Sequence, residues 1–165
     1  MRTQQVISMN RYYCMILCFA FASHASADYI CKDYRGQVVA THYTTDIDDG
    51  AKARQGQNGP VILANRNILS NFSAAILTFV YAHECAHHTL GHLKQRTSNP
   101  VIEQEADCWA AQTLIALGVF DDQDLHTVQV VMQQFGKEDN IHPKPEARAK
   151  NLLQCLNQDL LAARN

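Results

Sequence analysis

The chain has 165 residues, 14 lysines and arginines against 16 acids, a formal net charge of −2 and 47% hydrophobic residues. That balance leaves no basic excess for binding nucleic acid or anionic lipid, and the length suits one domain with one core.

Residues 1–27 read as a secretory signal peptide. Arg2 and Arg11 supply positive charge, Tyr12 to Ala22 is a short apolar run, and Ala25-Ser26-Ala27 is a small-x-small cleavage site before Asp28. The run is far below the roughly 20 residues a membrane span requires. Cys14 and Cys18 lack the preceding small residue that a lipoprotein site needs. The expected product is one soluble domain over residues 28–165, periplasmic or secreted, with no membrane span. Cys31, Cys85, Cys108 and Cys155 remain, and an even number in an oxidising compartment suggests two disulfides. Of the three connectivities, Cys31 with Cys155 and Cys85 with Cys108 is favoured.

Tyr29, Val38, Val39 and Tyr43, spaced among polar residues with Gly36 as a turn, suggest a hairpin between Asp28 and about Ile47. The polar, glycine-rich stretch from Asp46 to Pro60 reads as a mobile loop; its acids lack the spacing of an EF-hand. Val61-Ile-Leu-Ala64 is expected to be a strand that offers its edge to an extended peptide. Asn71 or Ser73 then caps a helix that is apolar nearly all round from Ser73 to Ala82, as a buried helix is.

That helix runs into His83-Glu84-Cys85-Ala86-His87, an HExxH pattern. His83 and His87 are separated by about 40° of rotation and about 6 Å of rise, so both imidazoles face one ion. Neutral imidazoles are good zinc ligands, and Glu84, about 100° round the helix, is placed to hold a water rather than to bind the ion. In apolar surroundings such a set is costly unless a metal or polar partners satisfy it.

Pro100 opens the next helix, which stops at Gly118. Glu103 and Asp107 lie four apart on one face and Glu105 on another, while Ala106, Ala110 and Ala111 are small enough to let this face approach the HExxH helix. Glu103 is the candidate third ligand, and Asp107 the group holding the far nitrogen of a ligand histidine. An amphipathic helix follows from Asp121 to Phe135, capped by Asp121 or Asp122, with Leu125, Val128, Val131, Met132 and Phe135 as its core stripe. A last helix, Pro145 to Leu161, turns Leu152, Leu153 and Leu156 inward. His42 and His126 read as surface residues; His88 and His92 have better claims to supporting the ligand residues, with packing the favoured reading. The elements make an α+β, mostly helical domain with a short sheet beside the HExxH helix.

The series His83-Glu84-x-x-His87, Glu103-x-x-Ala106-Asp107 and His142-Pro143-x-x-x-x-Arg148 resembles the gluzincin metallopeptidases, in particular the HtpX-like and CAAX-prenyl-protease-like group. The resemblance covers roughly Val61 to Leu156. It implies a zincin-like minimal metallopeptidase domain, one zinc ion on His83, His87 and Glu103, and His142 and Arg148 at the catalytic cleft, stabilising an oxyanion or orienting substrate. The absence of membrane helices departs from the group, as do Cys85 and His88 within the motif. Metzincins are excluded, because Leu90 and Leu93 stand where that pattern needs glycine and histidine.

The expected function is zinc-dependent hydrolysis of peptide bonds in exported proteins, with Glu84 as general base and then acid. A polypeptide is the expected substrate, with selectivity set by the loop at Asp46 to Gly59 or by a partner protein. Two rivals are a zinc-binding, chaperone-like module with little proteolysis and a disulfide-stabilised interaction protein whose motifs are empty.

Overall fold

A computed structural model describes residues 30–95, 99–135 and 142–162. The signal-peptide segment, residues 1–27, lies outside the described residues. The architecture is α+β and mostly helical, as the sequence indicates.

Three strands form one sheet in the order β1-β3-β2: β1 is Ala40–Tyr43, β2 is Ala51–Gly56 and β3 is Gly59–Ala64. β1 runs parallel to β3 and β2 antiparallel to it. Three expectations change here. The expected hairpin around Gly36 shrinks to a single antiparallel bridge, Lys32 with Val38, and Tyr43 sits in the parallel strand. The stretch read as a mobile loop contains β2, which alternates buried Ala51 and Ala53 with the more exposed Lys52 and Arg54. The small alanines conceal that alternation, because they carry a weak hydrophobic signal and little strand preference. β3, expected to offer an edge, is the central strand; among the described residues the outer strands are β1 and β2.

A short helix, α1 (Arg66–Leu69), is capped by Asn65 and leads to α2 (Ala74–Thr89), where the Ser73 hydroxyl accepts from the Ile76 N–H. α2 is apolar all round for a visible reason: the sheet packs on one side and helices on the other. Toward the sheet, Cys85 packs with Val39, Ala51 and Ile62; on the other side Ile76, Phe79 and Ala82 meet Leu114, Val128 and Leu152.

Asn99 caps α3 (Pro100–Ala116) with two N–H bonds, Pro100 fills the first helical turn, and Gly118 leaves the helix with a φ of 66°. Ala106, Ala110 and Ala111 are fully buried where α3 crosses α2, which is the close approach their size was expected to allow. Extra methylenes at such a crossing typically cost about 1–3 kcal/mol. Asp121 caps α4 (Asp122–Phe135), accepting from the N–H groups of Gln123 and Asp124. Leu125 and Val128 are buried, and Val131 and Met132 are partly buried against the same cluster; the side chain of Phe135 is outside the described ones. On α5 (Pro145–Ala162), Leu152 is buried and Leu156 partly so, but Leu153 faces solvent, against expectation. Leu153 follows Leu152 by one residue, about 100° round the helix, so both cannot face one core.

Cys31, Cys85, Cys108 and Cys155 form two disulfides, as expected, but in a different pairing: Cys31 with Cys85 and Cys108 with Cys155. The segment before β1 lies on α2, and α5 lies on α3, so each bridge joins neighbouring elements. Such bridges fit an oxidising compartment. Among the described residues, no helix is long and apolar enough to cross a membrane.

Candidate metal centre

α2 and α3 bring His83, His87 and Glu103 together, all three buried. His83 Nε2 is 3.1 Å from His87 Nε2 and 3.3 Å from Glu103 Oε2, and His87 Nε2 is 3.7 Å from Glu103 Oε1. Three ligands at the about 2.05 Å bonds of tetrahedral zinc would sit about 3.3 Å apart; the two imidazole nitrogens are near that spacing, Glu103 turns one carboxylate oxygen toward each of them, and one ligand atom from each residue lies within 4.8 Å of the others. Two imidazoles and a carboxylate are also a donor set that zinc accepts. The residues therefore fit a single metal ion.

The far nitrogens of both histidines are held, which fixes the tautomers. His83 Nδ1–H donates to Asp107 Oδ1 at 2.8 Å, leaving Nε2 for the centre. Asp107, with no exposed surface, also receives Arg148 in a two-point pair, Nε to Oδ2 at 2.8 Å and an η nitrogen to Oδ1 at 2.7 Å. His87 Nδ1–H donates to His92 Nδ1 at 3.1 Å, and His92 Nε2 lies 3.2 Å from Glu105 Oε2. With its Nε2–H on Glu105, neutral His92 has a lone pair for His87, whose own Nε2 lone pair then faces the centre.

Charges follow the same layout. Burial, together with the charge on His83, drives His87 down to about 3, and burial outweighs Glu105 to lower His92. His83 is opposed by burial, but Asp107 and Glu103 raise it to about 10, so without an ion the ring is charged, with Nδ1–H on Asp107 and Nε2–H facing Glu103 and the His87 lone pair. Glu103 is pushed up by burial yet held down at about 2 by its hydrogen bond to His83 and the nearby histidine charges.

Glu84 faces the sheet. Its Oε2 accepts from the Ala53 N–H of β2 at 2.6 Å, and burial raises its pKa above the usual carboxylate range. Because the N–H groups of a strand alternate in direction, those of Ala51 and Gln55 face the same outer edge as that of Ala53.

Every residue singled out in the sequence is near the centre, though not all in the position expected. Asp107 holds His83 as expected. Arg148 commits its guanidinium to Asp107 and is only 13% exposed, so it acts on the site through that carboxylate rather than by facing substrate. His142 Nε2 stands 3.9 Å from Glu103 Oε2. The sequence offers His92 a supporting role only behind packing, and turns Glu105 to another face of α3. His92 lies beyond the end of α2, and the turn at Gly91, φ 73°, folds it back under His87. A helical wheel has no means of showing this; the one sequence signal is a glycine followed by histidine directly after the motif.

No protein-family description, curated protein or solved structure matches the chain in comparisons of its sequence and fold.

Proposed function

We propose that this chain is a zinc-dependent endopeptidase acting on exported polypeptides, periplasmic or secreted, and of the gluzincin type that its three motifs resemble. The observation that carries this reading is that α2 and α3 bring His83, His87 and Glu103 together as a metal donor set while Glu84, the residue next to His83, accepts from the outward Ala53 N–H of β2.

An ion held by His83, His87 and Glu103 supplies Lewis-acid polarisation of a carbonyl and acidifies a water. Glu84 removes the proton of the attacking water and delivers it to the departing amine, so that water adds across the C–N bond with protons balanced. A raised pKa suits a carboxylate that must hold a proton between those steps. The substrate backbone pairs with the outer edge of β2, which recognises any extended chain through main-chain bonds. His142, beside Glu103, offsets charge on the carbonyl oxygen, a contribution that reaches about 3 kcal/mol for one donor in other enzymes. Arg148 and Asp107 hold His83 in its tautomer and orientation.

A second reading, a zinc-binding module without hydrolysis, is favoured by one observation: the Glu84 carboxylate is tied to the Ala53 backbone, as a structural latch would be. Metal analysis together with cleavage of a peptide library, wild type beside Glu84→Gln, separates the two. The protease reading expects both proteins to hold zinc and only the wild type to cleave; the binding reading expects zinc in both and cleavage in neither.

A further inference from the structure

A cavity of about 300 Å³ opens at the C-terminal end of α2, with the donor His87 in its wall. Gln55, at the end of β2, forms one rim, and Tyr34, Arg35 and Lys94 form another. The Tyr34 wall is built in. Cys31 is bridged to Cys85 of α2, the Tyr34 N–H donates to the His88 carbonyl at 3.0 Å, and the Thr89 hydroxyl donates to the Lys32 carbonyl at 2.8 Å. Gly91, at φ 73°, turns the chain beside that ring.

The charge of this cavity is positive. Lys94 Nζ lies 3.5 Å from the centre of the Tyr34 ring and Arg35 Cζ 5.3 Å from it. Asp33 is the only acid among the described residues of the wall, and its oxygens are used up. Oδ1 accepts from the backbone N–H groups of Arg35 and Gln37, Oδ2 accepts from Arg35 Nε, and the side chain is 3% exposed. Asp33 and Arg35 therefore cancel, and Lys94 supplies the net charge. An ammonium on an aromatic face still has donors for a carboxylate.

The cavity is also in line with the bond to be cut. Glu84 meets β2 at Ala53, and Gln55 lies two residues, about 7 Å, farther along the same edge. A peptide extended on that edge thus carries a side chain within one to three positions of the scissile bond into this space.

We infer that the cavity is the specificity subsite and takes the side chain of an aspartate or glutamate flanking the scissile bond, with Lys94 as its main counter-charge and Arg35 on the rim. The inference rests on the endopeptidase reading above.

The test uses the purified, zinc-loaded protein and peptides that differ only by Glu, Ala or Lys at each of three positions on either side of a cleaved bond. At one of these positions Glu should exceed Ala about ten-fold in kcat/KM, with Lys lowest. Because Lys94 is exposed, its variants should fold. Lys94→Arg should keep the preference, and Lys94→Glu should reverse it in favour of Lys at the same position, which a merely structural role would not do. Cleavage without an acidic preference, or with one unchanged in Lys94→Glu, overturns the subsite and leaves the peptidase reading standing. If no peptide is cleaved by metal-loaded protein, the peptidase reading falls and the subsite with it.

Discussion

His92 accepts a hydrogen bond from His87 through Nδ1 of each ring, at 3.1 Å, and so decides which nitrogen of His87 faces the donor triangle. Glu105 stands behind His92 as Asp107 stands behind His83, giving each histidine donor its own chain to a carboxylate.

Removing that support should weaken metal binding without removing a donor. His92→Ala is expected to lower zinc affinity about 10–100-fold, read by competition with a chromophoric chelator. His92→Asn keeps an acceptor near the Nδ1 position and should recover part of the loss. Equal loss in both variants would mean that the ring only fills space.

Arg148 carries a stability role that its place in the motif does not advertise. Arg148→Met leaves Asp107 fully buried with one partner fewer and should destabilise the metal-free protein by about 3–5 kcal/mol in urea unfolding. Unchanged stability would contradict the two-point pair.

Asp33 makes the turn before β1 sensitive to acid. Burial raises its pKa, but hydrogen bonds from Gln37 and Arg35 outweigh this and hold it below the usual carboxylate value. A depressed folded pKa gives stability that is present above the ordinary value and lost as pH falls through the folded one. The difference in Tm between wild type and Asp33→Asn should therefore be largest near neutral pH and shrink as pH falls below the ordinary carboxylate value. A difference independent of pH would place the effect in turn geometry instead of charge.

The metal triangle was legible in the sequence because both halves use helix periodicity: His83 and His87 are four apart, and Glu103 and Asp107 are four apart beside small alanines. The cap at Ser73, the start at Pro100 and the glycine end of α3 were legible for the same reason, since each is a local requirement of a helix. What failed depends on how elements meet. β2 hides behind Ala51 and Ala53, disulfide pairing follows from which helices are neighbours, and His92 reaches His87 only through the fold of one turn. None of these leaves a periodic trace in the chain.

X-ray absorption at the zinc edge, on protein titrated to saturation, addresses the donor triangle itself. The expected result is one ion per chain with two imidazole nitrogens and carboxylate oxygen at about 2.0–2.2 Å, lost in Glu103→Ala combined with His87→Ala. Sulfur in the coordination shell, or no saturable binding by the wild type, would contradict it.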